Sequence, residues 1–374
     1  MSGEVAQFRV DGVDESVWII HGPGAGGQGV ILEQGSVGEL YDSPVATVYR
    51  ERVGQPGSVF RGQRYLARHL TLRLTAVGVT EAEVAEVDSR LRQAFDYARP
   101  ARLVCTTDGS GERALSVFLE SEPEYQSDVE MGALRVARWE YPLIAPDPHW
   151  DGEVATSEFE FNGLNWDGGS VTVANPADVP AWPKWVLDGQ ARWILPDIDL
   201  SPGGDRSRQI ALPFQPQGHD VVVDSDPAAE MITDTKNALL WAQMGGQFFN
   251  YRIPAHTPPT ELHVSMDPLP MLPWFIPQDW RIWLASRMQK WAIDLGLEGV
   301  LTATPDQIAQ KLKSWMTGQL PPWLTAIDPG ILTELVPSLI ANAIRDQWVS
   351  VGNLVGATAQ IRVEQQWTRP WGLE

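Results

Sequence analysis

The sequence predicts a mainly β protein carrying an α-helical insertion. Three observations lead there. Apolar residues alternate with polar ones at period two through two long stretches, as at Leu70, Leu72 and Leu74. Proline and glycine recur between those runs, as an antiparallel sandwich requires. After about Asp267 the spacing becomes helical, and one alternating run returns at Ala359, Ile361 and Val363. At 374 residues, 43% hydrophobic and 20% charged, the chain has room for two globular domains, or one with a large insertion.

Residues 1–150 form the first part, a β-rich domain with one helix. A strand around Leu70–Leu74 precedes a helix whose start is marked by Thr80 and Glu83, the two ends of a capping box. Val84, Val87, Leu91 and Phe95 share one face of it, and Pro100 is its expected stop. Strands follow at Leu103, at Val117 with Leu119, and from Leu134 to Tyr141, with Asp108–Gly111 as a hairpin turn between the first two. Two prolines in Ala145-Pro146-Asp147-Pro148-His149-Trp150 break the pattern.

The second part, 151–267 plus 355–374, reads as a β-sandwich. Its strands are expected at Phe159 with Phe161, Val171 with Val173, Trp185–Leu187, Val221 with Val223, Phe248–Ile253, and Leu262–Val264. Asp234–Met244 is expected as a short helix. The third part, 268–354, is a Trp-rich insertion of three helices before the last strand. The first begins near Gln278 and stops at Gly296. The second is capped by Thr304-Pro305-Asp306-Gln307. The third opens at Asp328-Pro329 and kinks at Pro337. These helices are expected to pack as a separate lobe around Trp280, Leu284, Trp291, Trp315, Trp323 and Trp348.

Signals for chemistry are weak. The single Cys105 excludes intrachain disulfides and a cysteine zinc cluster, and its apolar run reads as core. Gly24-Ala25-Gly26-Gly27-Gln28-Gly29 fits a dinucleotide fingerprint by letter, but Val30-Ile31-Leu32 after it is strand-like, where that site needs a helix. No P-loop and no G-x-S-x-G elbow occur. The six histidines include no i, i+4 pair, and His256 and His263 flank a proline-rich turn. The acidic pairs Asp197 with Asp199 and Asp224 with Asp226 have the spacing that can chelate Ca²⁺ or hold acid and base roles at a strand end, and Asp224-Ser225-Asp226-Pro227, after the strand Val221–Val223, reads as a turn whose side chains cap backbone amides. No catalytic, cofactor or metal residue is assigned, and an enzyme is not expected. The formal charge of −20 opposes a sequence-independent grip on nucleic acid, and is compatible both with a surface past which DNA slides and, equally, with plain solubility. The start MSGEVAQF lacks a signal-peptide pattern and no run is long and apolar enough to span a membrane, so synthesis in a cytoplasm is expected.

The 17 tryptophans are unusual. Trp182, Trp185 and Trp193 lie among prolines near strand edges. Trp280, Trp283 and Trp291 fall on a helical stripe which, with Trp315 and Trp323, offers a core or a protein interface. Exposed on a sheet, tryptophans stack on sugars, so a carbohydrate-binding sandwich is the alternative reading.

The segment Asn175-Pro176-Ala177-Asp178-Val179-Pro180-Ala181-Trp182-Pro183-Lys184-Trp185, with Leu187-Asp188-Gly189, resembles the N-x-G-D-x-P-x-x-P strand and turn of distal tail proteins from long, flexible-tailed phages. Asn175, Asp178, Pro180, Trp182, Pro183 and Gly189 carry that motif; Ala177 departs from its usual glycine. Gly54–Ser58 with Arg68–Leu72, Ala145–Trp150 and Ile253–Pro259 are similar to other parts of that family in the same order, over roughly 1–265 and 355–374. The resemblance implies a ring-forming N-terminal domain and a galectin-like β-sandwich. It further implies a six-fold ring at the distal end of a tail, contacting the tail tube protein on one side and tip, hub, fibre or receptor-binding proteins on the other. Genome DNA would pass through its lumen during ejection. The N-terminal part has no lysine before Lys184, so an acidic lumen wall is expected.

Overall fold

The computed structural model describes residues 6–34, 38–51, 53–54, 56–162, 164–165, 168–188, 191–215, 218–236, 240–267, 303–316 and 355–374, with scattered positions between 287 and 302 and residue 341. The architecture is mainly β, in antiparallel sheets. Contacts divide the chain into two compact units. One comprises Met1–Val154, Pro176–Pro180 and Glu364–Glu374, and the other Ala155–Asn175 and Ala181–Val363.

In the first unit, β1 (Gln7–Asp11) pairs with β2 (Val17–His21) and with β7 (Ala101–Thr107), which pairs in turn with β8 (Gly111–Leu119). Strand β10 (Val136–Ala145) runs the length of β6 (Arg68–Val77), and β3 (Val30–Leu32) lies on the other side of β6. Strand β9 (Glu124–Tyr125) and the end of β8 also pair with β10, and β11 (Trp150–Glu160) meets β8 at Asp151 opposite Ala114. The alternation in β6 buries Leu70, Leu72 and Leu74 in one cluster with Val84 and Leu91 of α1 (Glu81–Gln93). Each such side chain contributes about 2 kcal/mol. The capping box forms as expected: Glu83 N–H donates to Thr80 Oγ1, and the Glu83 carboxylate accepts from Thr80 N–H. The helix ends at Gln93, well before Pro100, because Asp96 takes the Ala98 amide and turns the chain. Phe95 is buried just beyond it. A second short helix, α2 (Met131–Leu134), occupies the start of the strand expected from Leu134, and Arg135, at φ 55°, turns the backbone into β10. Glycines 24, 26 and 29 lie in turns of positive φ, and β3 follows them, so the G-x-G-x-x-G letters form a loop.

One feature of this unit was not legible in the alternation. Strands β4 (Val45–Glu51) and β5 (Ser58–Tyr65) form a two-stranded hairpin that pairs with no other described strand.

The second unit is a sandwich of two sheets. One has the order β17 (Ile232–Asp234), β16 (Val221–Asp224), β13 (Pro183–Leu187), β19 (Thr358–Trp367), and continues to β11. The other runs β12 (Gly169–Asn175), β18 (Thr257–Asp267), β14 (Arg192–Pro196), β15 (Gln209–Ala211). Trp185, Val223 and Ile361 from the first meet Val173, Trp193 and Val264 from the second in one core.

Several sequence expectations are corrected here. Phe248–Ile253 is not a strand: the Asn250 and Tyr251 amides donate to the Asp197 carboxylate, and only Ile253 bridges, to Ala181. Among the described residues of Asp234–Met244, the helical part is a 3-10 turn, Leu240–Gln243. Pro258 and Pro259 lie inside β18, and the register shift between Val173 and Asn175 falls opposite them, where proline has no N–H to give. Helix α3 (Pro305–Met316) starts as read, with Gln307 N–H donating to Thr304 Oγ1 and Thr304 N–H to Gln307 Oε1. It is no separate lobe: Ile308 and Leu312 belong to the sandwich core, and Trp291 and Trp315 pack against it. Gly296, the expected stop of the first helix, has φ 72°. Trp280, Trp283, Trp323, Trp348, the helix expected from Asp328, and Gly189 lie outside the described residues.

Candidate functional site

The family-like segments supply a site of structural, polar character. In the sandwich unit, Asn175 is fully buried at the end of β12. Its side-chain amide donates to the carbonyls of Ile253 (3.3 Å) and Pro254 (3.2 Å). An amide with two donors suits a place where two carbonyls lie side by side. Trp182 stacks beneath the Arg252 guanidinium, 4.7 Å from its centroid. Pro183 opens β13, and its carbonyl accepts from the Ser225 hydroxyl at 2.5 Å. Trp291 and Trp315 meet edge to face, centroids 6.1 Å apart.

In the first unit, Asp178 accepts from the Thr368 amide at 3.0 Å and from the Thr368 hydroxyl. Pro180 is exposed. The Thr368 carbonyl accepts from Ser43 N–H (3.1 Å) and from Arg68 Nη2 (3.3 Å). Arg68, almost wholly buried, also donates to the carbonyls of Pro148 (2.8 Å) and Leu40 (2.9 Å), and to Ser43 Oγ (2.9 Å). Burial lowers its pKa to about 10, so it stays charged at neutral pH. Three segments read as family-like, at Arg68, Pro148 and Asp178, thus converge on one carbonyl-lined node. A second arginine holds the last residues. Arg113 donates to the Arg369 and Gly372 carbonyls (2.9 and 3.0 Å), pairs with Glu374 (2.8 Å), and lies 3.7 Å over the Trp367 ring.

Sequence reasoning assigned no role to Arg113 and none to Arg68 beyond its place in a family-like segment. The signal was present: Arg68 shares its strand face with Leu70, Leu72 and Leu74, and Arg113 shares its face with Leu115, Val117 and Leu119. An arginine in phase with buried leucines must find acceptors inside.

The node's hydroxyl and carboxylate are engaged within it: Ser43 Oγ donates to the Pro148 carbonyl and Asp178 accepts from Thr368. Burial pushes the Cys105 thiol up to about 12, which keeps it protonated. Asp197 is tied to Arg208 and to two amides, while Asp199, Asp224 and Asp226 cap turn amides. No group of three or more metal-ligating side chains occurs among the described residues.

No family model matches the chain. It is 24% identical over 290 residues to the minor tail protein Gp27 of Mycobacterium phage L5, covering 64% of this chain and 86% of that protein. It is 23% identical, over the same shares, to the minor tail protein Gp27 of Mycobacterium phage D29. Among solved structures it is similar to the Dit protein (gp 19.1) of phage SPP1, with TM-score 0.44, 11% identity, and coverage of 63% of this chain and 93% of that one. The phage P2 baseplate in its activated conformation with Ca gives TM-score 0.41, 11% identity, and coverage of 70% and 95%. The match spans most of the length of both minor tail proteins, in line with the resemblance read from Asn175 onward: the chain is similar to phage minor tail proteins.

Proposed function

We propose that the chain is a non-catalytic structural subunit that forms a ring at the distal end of a phage tail, joining the tail tube to the tip and leaving a channel for DNA. The observation that carries this is the 290-residue similarity to mycobacteriophage minor tail proteins. The buried node supports it, since Arg68, Arg113 and Asp178 all serve to hold strands together. In this reading residues 1–150 form the ring, 151–267 with 355–374 the sandwich, and 268–354 an insertion whose Trp280, Trp283 and Trp323 face a neighbour. The motif residues Asn175, Asp178, Pro180, Trp182, Pro183 and Gly189 serve the fold. The lumen wall is acidic, so DNA passes without adhering. Imaging of intact tails with an antibody to this chain tests the reading: label at the distal end and a closed ring in averaged images are expected. Label along the tube or on the head, or a single copy per tail, would refute it.

A further inference from the structure

The hairpin β4–β5 is built to be covered. An isolated two-stranded ribbon is marginal in water, because each strand keeps an unpaired edge and neither face is packed. Here nearly every residue of both strands is exposed. Tyr49 is 57% and Phe60 52% exposed, meeting edge to face on one face of the ribbon, and Val45, Val48, Val59 and Leu66 are exposed as well. So much apolar surface in one element marks an interaction site. Its charge opposes that of the chain. Arg50, Arg52, Arg61 and Arg64 stand against Glu51 alone between 45 and 66, within a chain of formal charge −20. Arg50, Arg61 and Arg64 make no ion pair among the described residues.

The complement lies elsewhere in the same unit. Residues 120–130 carry Glu120, Glu122, Glu124, Asp128 and Glu130, with no lysine or arginine, and all five acids are exposed. Glu120 is held by His69 and Glu130 caps the Gly132 amide, whereas Glu122, Glu124 and Asp128 make no ion pair among the described residues. Exposed Val129 and Leu134 flank them. A basic, apolar ribbon and an acidic, apolar loop on one chain form the two halves of a heterologous contact, which repeats head to tail until it closes.

We infer that the 45–65 hairpin of one copy docks on the 120–134 surface of a second copy, with Arg50, Arg61 and Arg64 meeting Glu122, Glu124 and Asp128. This rests on the reading of the chain as a ring subunit and names the surfaces that would join it. The test uses the purified full chain and its mass in solution over a concentration series, at low and high salt. The wild type is expected to form oligomers whose dissociation constant rises with salt. The triple variant Arg50→Glu, Arg61→Glu, Arg64→Glu is expected to weaken association by about tenfold or more. Glu122→Arg, Glu124→Arg, Asp128→Arg should do the same, and the six changes together should restore it. Mixed in equal amounts, the two triple variants should associate with each other although each alone does not, since the acidic hairpin of one meets the basic loop of the other and the basic hairpin of the second meets the acidic loop of the first. Unaltered folding of each variant is checked by its thermal unfolding. If the wild type associates and the triple variants associate equally well, the inference is overturned and the ring reading stands on other surfaces. If the wild type stays monomeric at every concentration, the inference is overturned as well, and tail imaging alone decides the ring.

Discussion

At the scale of the residue, the buried arginines carry most of the information. Arg68 satisfies backbone carbonyls from three separate segments, so shortening it leaves several buried acceptors without donors. Arg68→Met keeps the apolar stem and removes the donors; it is expected to cost about 3 kcal/mol, read as a lower denaturant midpoint at unchanged slope. Asp234 gives a test in pH. Burial raises its pKa, but the His219 bond and the Lys236 amide outweigh that and hold it below the ordinary 3.8. A carboxylate with a depressed folded-state pKa adds stability above its unfolded value, and that stability is lost as pH falls through the folded value. The wild type should therefore be more stable than Asp234→Asn at neutral pH, with the gap closing below pH 3.8. A gap that widens in acid would contradict the assignment. These residues also show where sequence reading stops. Cys105 was legible as core because its neighbours are apolar. The partners of Asp178 were not, because Thr368 lies 190 residues away and no local pattern links them.

At the scale of the element, local signals were read well and signals that depend on a distant partner were read badly. Both capping boxes, at Thr80 and Thr304, are four-residue statements, and both formed. Strand β18 was missed over its first residues because two prolines forbid a regular ladder, and only the bulge opposite them reconciles the two. The Phe248–Ile253 segment has strand composition, yet a carboxylate brought from Asp197 takes its amides. Helix α3 bears on the insertion. Since Ile308 and Leu312 are part of the sandwich core, replacing 268–354 with a short Gly/Ser linker should leave a soluble sandwich that has lost roughly 3–5 kcal/mol. Ending the chain after Val355 removes β19 and bares the edge of β13, so that product should aggregate. Equal behaviour of the two would show that β19 does not close the sandwich.

At the scale of the whole molecule, the fold class was legible because alternation and proline spacing are properties of the chain itself. Similarity to phage tail proteins was legible only through the family-like segments, and a ring remains a proposal drawn from them, since symmetry leaves no mark on one sequence. The placement of strand β19 has a consequence for how the protein is made. Its first half pairs with β13, and the Thr368 carbonyl just past its end takes a hydrogen bond from the Ser43 hydroxyl, 325 positions earlier in sequence. A ribosome delivers Thr368 325 residues after Ser43, so the early strands wait through that stretch of elongation for the residues that close them. Nascent chains arrested before residue 358 should stay open to protease, and those arrested well past residue 374 should resist it. A subunit cut short by a premature stop would then never present finished surfaces, and growing tails would be spared defective parts without any separate inspection step.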